Sequence, residues 1–480
     1  MAVIRKNLIY NLLLSITQIM VPLVTIPLVS RQLNPTGLGK AGFFDNYSFF
    51  FAVLAEMGIM VYAQRRIALL KDRPNEMGKF VSEILCIHIL STLLISALYL
   101  TLSLGITDEI FEWPLFWAAL MFFLLNAFTC EWYFIGTEQF RFIAIRVIFV
   151  RLAALAAIFL FVRSKEDYIV YYFIIAGSGI INILLNFGLL MTQVKLTLKK
   201  INLKQHLPFL WIMYGISVLQ GVALYMDSVI LGMVSTAAAV GLYTLAMRVV
   251  KLATALITDS LLVFFPKIVQ AQENSGEVRS LLLKNFQWIS FVGIPAMLGV
   301  IVFAADIVNV LLGSKYLDVV LPLRGLALFG LFRIYSSYYS KQYLVAFGKE
   351  KYYFNSLLIG SLSLVVTAAV GGYFFGEKGA VIAIVLSEGI TMLMVVLFCK
   401  KFFEQLVFDK LILNNTLIAS LSFILVHSVL HSMKIPGFFI LFGGIVVSGT
   451  LYLLIMYYFL KDEFTHFVWK QARQLLPFKK

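Results

Sequence analysis

The chain of 480 residues is 61% hydrophobic and only 13% charged, with a mean hydropathy of +0.92, a balance that excludes an ordinary soluble enzyme and a disordered chain alike. Its net charge of +14 invites a nucleic-acid reading, but the 39 Lys and Arg are spread over many connections and gather on no single domain.

Apolar stretches fall at 8–30, 42–62, 80–104, 113–136, 143–162, 168–191, 208–233, 240–264, 286–312, 319–346, 352–375, 379–398, 411–431 and 437–460. A helix rises about 1.5 Å per residue, so roughly 20 residues cross the hydrocarbon core, where lipid offers the backbone no hydrogen-bond partner. These stretches predict an all-α polytopic membrane protein with about fourteen transmembrane helices. Taken with the N-terminus inside, the tails and even-numbered connections carry 25 basic residues and the odd-numbered ones carry 7, which predicts two cytoplasmic termini.

In the first stretch, Arg5 and Lys6 imitate a signal peptide, but the apolar run continues to about Ser30 with no small-x-small cleavage site, so it is read as span one. Pro22 and Pro27 predict a bend in it. In span two, Asp45 and Glu56 stand 11 residues apart, close to three helical turns, and so share a face. They suit either a coupling proton or cation, or pairing with Arg31 or Arg151. Arg65, Arg66, Lys71, Arg73 and Lys79 crowd the second connection. Span five carries Arg146, near enough to its end to snorkel, and Arg151 near its middle.

The hydrophilic segment from Thr192 to His206 divides the spans. Residues 1–191 are expected to form an N-terminal lobe of six spans and 192–207 a cytoplasmic linker. Residues 208–400 are expected to form a second six-span lobe, and 401–480 two further helices and an amphipathic tail. Weak repetition supports two related halves: Gly136-x-Glu138-x-Phe140 answers Gly348-x-Glu350-x-Tyr352 at 212 residues, and Gly39 answers Gly241 at 202. A substrate path between the lobes is the implication.

In the second half, Thr244, Arg248, Lys251, Ala255 and Thr258 follow 4, 3, 4 and 3 spacing and form one stripe down span eight. Asp227 in span seven matches Arg248 in depth. One aspartate neutralises one cation but hardly both, so a wet cavity or an anionic ligand is an expected further partner. Asp259 joins Asp45, Glu56 and Asp227 as a coupling or ion-pair candidate. Asp306 and Arg324 lie at matching depth and are expected to pair. Arg333, Ser337 and Ser340 make a second polar face in span ten, where Lys341 lies near enough to the end to snorkel. Glu83, Glu131 and Glu388 receive no role. His427 and His431 share a face at metal-ligand spacing, but no acidic neighbour is evident, so no metal is expected. Cys86, Cys130 and Cys399 stand far apart and indicate neither a disulfide framework nor a zinc site. Phe464, Phe467, Val468, Leu475 and Leu476 among Lys470, Arg473, Lys479 and Lys480 predict a tail helix lying on the membrane surface.

Four groups of residues resemble the polysaccharide transporter family of the MOP exporters, specifically Wzx-type O-antigen flippases. They are Gly37 to Tyr47 with Gly58 and Arg65-Arg66-Ile67-Ala68; Glu131-Trp132-Tyr133-Phe134-Ile135-Gly136-Thr137-Glu138-Gln139-Phe140-Arg141; Asp227-Ser228-Val229-Ile230-Leu231-Gly232 with Val240-Gly241-Leu242-Tyr243 and Arg248; and Leu311-Leu312-Gly313-Ser314-Lys315-Tyr316. Ala41 departs from the aromatic expected there. The resemblance implies a MATE-like fold and movement of undecaprenyl-diphosphate-linked oligosaccharide to the outer leaflet of a bacterial inner membrane by alternating access. Arg248, Lys251, Arg333 and Arg151 would line the path, with no cofactor, and a glycan polymerase and chain-length proteins would be partners. A drug exporter of the same superfamily would favour an acidic cavity. A glycan polymerase, ligase or glycosyltransferase would need a sizeable soluble domain or loop, and no GxxxxGK[ST] string points to ATP hydrolysis.

Overall fold

The computed structural model describes residues 2–71, 73–197, 199, 201–272, 274–403, 406–433, 435, 437–466 and 468–469. Most of the expected tail helix lies outside them. Among the described residues the structure is helical and has no strand. The first helices are α1 (Ala2–Gln32), α2 (Pro35–Glu56), α3 (Ile59–Leu69), α4 (Pro74–Ser103), α5 (Trp113–Leu125), α6 (Glu131–Gly136), α7 (Phe140–Phe161), α8 (Tyr168–Gln193) and α9 (Leu207–Gly221). They are followed by α10 (Asp227–Val234), α11 (Ala237–Ser260), α12 (Phe265–Gln270), α13 (Ser275–Val302), α14 (Ala304–Ile307), α15 (Val320–Tyr339), α16 (Glu350–Phe402), α17 (Lys410–Ser432) and α18 (Gly437–Leu454).

Every expected span falls on one or two of these helices. By length and hydropathy, ten stretches of the described residues suffice to cross a membrane, and α2 with α3, bent by 49°, makes an eleventh. One reason this number is below fourteen is that α16 is counted once although it holds two expected spans. Gly376 interrupts it with φ 56° and ψ −134°, a left-handed geometry that favours glycine. Gly371 then meets Gly379, and Ser387 Oγ donates to the Gly360 carbonyl at 2.8 Å, so the two arms run back along one another. In contrast, α1 continues as a single helix through Pro22 and Pro27.

Helix starts follow local chemistry. Asn34 caps α2 by accepting the Gly37 amide at 2.8 Å, with Pro35 in the first turn, where its missing N–H costs nothing. Asp409 caps α17 by accepting the Leu411 and Ile412 amides.

The chain forms two compact units, Met1–Thr244 with Val365–Ala380, and Leu245–Leu364 with Val381–Lys480. In the first, the core is aromatic: Tyr99 stacks on Phe123 at 5.2 Å, and the Tyr47 hydroxyl donates to the Tyr99 carbonyl at 2.9 Å. The segment expected to be a linker lies in this unit and is tied to α4. The Thr197 amide donates to Ser82 Oγ and the Asn202 amide to Glu83 Oε1, each at 2.8 Å. In the second unit, α17 packs on α13 and α18, and the Tyr452 hydroxyl donates to the Phe291 carbonyl at 2.9 Å. The last two spans are thus built into that unit.

Near the two repeated motifs the backbone makes two similar turns, in a changed register. Glu138 (φ 60°) and Gly348 (φ 68°) occupy equivalent left-handed positions. The Gln139 amide bonds to the Phe134 carbonyl at 2.8 Å, and the Lys349 amide bonds to the Leu344 carbonyl at 2.7 Å. The structural offset here is therefore 210 residues, two fewer than the motif spacing. At the crossing of α2 and α11 the 202-residue offset holds: a methyl group at Gly39 would strike the Ala237 carbonyl, and one at Gly241 the Pro35 carbonyl. Each glycine lets its helix approach the other's backbone, in a reciprocal contact.

Candidate functional site

In the first unit, Arg146 does not snorkel. It is 5% exposed, its Nη2 lies 3.5 Å from Glu131 Oε1, and its guanidinium stands 5.6 Å from the Phe142 ring. Glu131 also attracts Arg151, five residues further along α7. The same carboxylate repels Glu56, whose Oε1 accepts the Met60 amide at 3.1 Å across the bend between α2 and α3. Arg151 thus belongs to a mixed cluster that sequence reading missed, because Glu131 lies just after the break between α5 and α6. Tyr225 lies within electrostatic reach of both Asp45 and Glu56, as their shared face requires.

Asp227 is buried at the start of α10, where it accepts the Tyr243 hydroxyl at 2.6 Å and the Ser228 amide at 2.7 Å. A buried carboxylate held by such bonds is anchored in place.

In the second unit, Arg333 Nη1 donates to Glu388 Oε2 at 3.2 Å. Glu388 is 3% exposed, whereas the Arg333 side chain keeps 25% of its surface open. Lys341 feels repulsion from Arg333 and attraction from Asp259, so four charged groups are coupled in this unit. Arg248 and Lys251 are half-buried on the same face of α11, next to Thr254, whose hydroxyl bonds back to the Val250 and Lys251 carbonyls.

The expected pair of Asp306 and Arg324 does not form. Asp306 Oδ2 lies 2.9 Å from His427 Nε2, while Arg324 Nε donates to the Ile301 carbonyl at 3.3 Å. Matching depth measures position along the membrane normal and leaves the direction around each helix open. His427 therefore does have an acidic neighbour, and its ring stacks on His431 at 5.9 Å. No cluster of three or more metal-ligating side chains occurs among the described residues.

Apolar helices long enough to cross a membrane, charged side chains held among them and a reciprocal glycine approach of α2 and α11 define a polytopic helical membrane protein. Residues 4–272 match the family described as polysaccharide biosynthesis protein, and the chain belongs to that family. It is 22% identical over 406 residues to the "Putative O-antigen transporter" of Escherichia coli (strain K12), covering 83% of this chain and 97% of that one. Its fold matches the lipid II flippase MurJ in an inward closed conformation, with a TM-score of 0.74 at 17% identity, over 95% of this chain and 99% of that one. It also matches an inward-facing multidrug resistance MATE family transporter, with a TM-score of 0.64 at 14% identity, over 82% and 97%.

Proposed function

We propose that the chain is a flippase that moves undecaprenyl-diphosphate-linked oligosaccharide, an O-antigen or similar surface-glycan repeat unit, from the cytoplasmic to the outer leaflet of a bacterial inner membrane. It works by alternating access, with both termini cytoplasmic and no catalytic group. The observation that carries this reading is the stripe on α11. Arg248 and Lys251 stand one turn apart, half-buried, on a helix that is otherwise mostly apolar.

Ionised side chains inside a membrane cost at least ~2.5 kcal/mol at mid-helix and are retained where they meet water, an opposite charge or cargo. A diphosphate is an anion that guanidinium recognises in bidentate fashion and ammonium as a point charge. Arg333 retains open surface and is the second phosphate-binding candidate. Arg151 is the third, sharing Glu131 with Arg146. Asp45, Glu56, Asp227 and Asp259 are the groups on which a coupling cation or proton would act. The named activities of the Escherichia coli relative and of the lipid II flippase support the same cargo class. A cationic drug, by comparison, would be repelled by the stripe. Glycan polymerase and chain-length proteins would act on the exported product.

The test is replacement of Arg248 or Lys251 by Gln. Surface glycan is expected to disappear and the lipid-linked repeat unit to accumulate inside, while the amount of folded protein stays at wild type. Glycan export at the wild-type level in the R248Q/K251Q double variant would overturn the reading.

A further inference from the structure

The first unit contains an open cavity of ≈690 Å³ remote in sequence from the α11 stripe, lined by α3, the start of α4 and the segment leading into α9. Its floor is a buried polar network. His206 Nε2 lies 2.9 Å from Glu83 Oε2, and His206 Nδ1 lies 2.8 Å from the Tyr62 hydroxyl. Gln205 Nε2 donates to the same Glu83 oxygen at 3.0 Å. Glu83 and His206 are 2% and 4% exposed.

The acids of this cavity are already engaged. Glu83 accepts from Asn202, Gln205 and His206 and lies 3.8 Å from Lys79, while Glu76 lies 3.6 Å from Arg73. Two further cations, Arg65 and Arg66, line the same cavity from the last turns of α3. Neither has a carboxylate within ion-pair distance among the described residues. In the same lining the Tyr62 ring, one turn before them on α3, stacks on Phe209 at 5.9 Å with planes 12° apart, and Leu69 adds an apolar wall. Two guanidinium side chains lining one concave surface, with its negative charge internally neutralised, form a receptor for a dianionic oxygen ligand. Basic residues placed only to orient the chain need neither the hollow nor the bonded floor.

We propose that this cavity binds a phosphate ester, held by Arg65 and Arg66, against the Tyr62 and Phe209 wall. The occupant is an anionic phospholipid headgroup or a soluble phosphate ester. The proposal does not depend on the cargo assigned to the α11 stripe.

The full-length chain, in nanodiscs of phosphatidylcholine alone or containing phosphatidylglycerol, is titrated calorimetrically with inorganic diphosphate. Wild type is expected to bind in phosphatidylcholine. The R65K/R66K variant preserves charge and therefore topology, and is expected to bind roughly tenfold more weakly because ammonium lacks the bidentate fork. Leu69, itself 68% exposed, tolerates enlargement, so L69W should fill the hollow and weaken binding without altering any charge. Both variants are compared at wild-type elution on gel filtration. R248Q/K251Q should retain this binding, which separates the cavity from the stripe. Weaker diphosphate binding in phosphatidylglycerol discs, with that lipid retained on wild type in native mass spectrometry, assigns the headgroup. Equal affinity in both discs assigns the soluble ester. Absence of diphosphate binding, or binding indifferent to both R65K/R66K and L69W, overturns the proposal.

Discussion

The two units hold their interior charges differently. In the first, Arg146 is 5% exposed against Glu131, and Glu83 and His206 are buried together with Tyr62 bonded to the histidine. In the second, Arg333 keeps a quarter of its side chain open beside a buried Glu388, and Arg248 and Lys251 are half-buried. Depth in the membrane is thus a poor guide to purpose. A cation sealed against a carboxylate holds helices together, because removing either partner strands a charge in low dielectric. A cation with open surface keeps part of its hydration.

Glu131→Gln should break this contrast most severely. It leaves the buried Arg146 guanidinium without its counter-charge, and the yield of folded protein by fluorescence-detected gel filtration should fall sharply. R248Q, at a site of the second kind, should leave that yield unchanged while abolishing export; equal loss of folded protein in both variants would erase the distinction. Gly39→Ala places a methyl group against the Ala237 carbonyl and should lower stability by about 1–3 kcal/mol, read as a lower thermal midpoint. Tyr243→Phe removes the 2.6 Å bond to buried Asp227 and should cost about 1.5–3 kcal/mol. A value near zero would mean that Asp227 is satisfied without it.

The smallest effect is at a part-buried pair of the first unit, where Lys40 Nζ lies 2.7 Å from Glu112 Oε1 and the Tyr168 hydroxyl donates to that oxygen at 2.9 Å. The Lys40 hydrogen bond holds the Glu112 carboxyl below its usual range. A lowered folded-state value contributes stability above the unfolded-state pKa, about 4.3, and that contribution is lost as pH falls through the folded value. Because the pair is partly solvated, Glu112→Gln should cost less than about 1 kcal/mol at neutral pH. The difference in thermal midpoint from wild type should vanish in acid.

Sequence reading reached the fold by a route that needs little tertiary information. Apolar length and the placement of Lys and Arg report position along one axis, the membrane normal. The same axis explains where the reading stopped. It matched Asp306 to Arg324 by depth, yet His427 takes Asp306, because depth leaves the direction around each helix open. Arg333 and Glu388, 55 residues apart, were open to the same depth comparison, which would have proposed the pair without securing it.

Composition, span positions, the α11 stripe and the paired glycines Gly39 and Gly241 were determined by the sequence alone, since each follows from helical periodicity or transfer free energy. Tertiary structure alone decided that those glycines touch one another, that α16 folds back at Gly376, and that the segment before α9 closes a basic hollow over Glu83 and His206. The physical reason is that solvent preference is a property of each residue, whereas partnership among buried charges depends on rotations and crossings set by packing the whole unit.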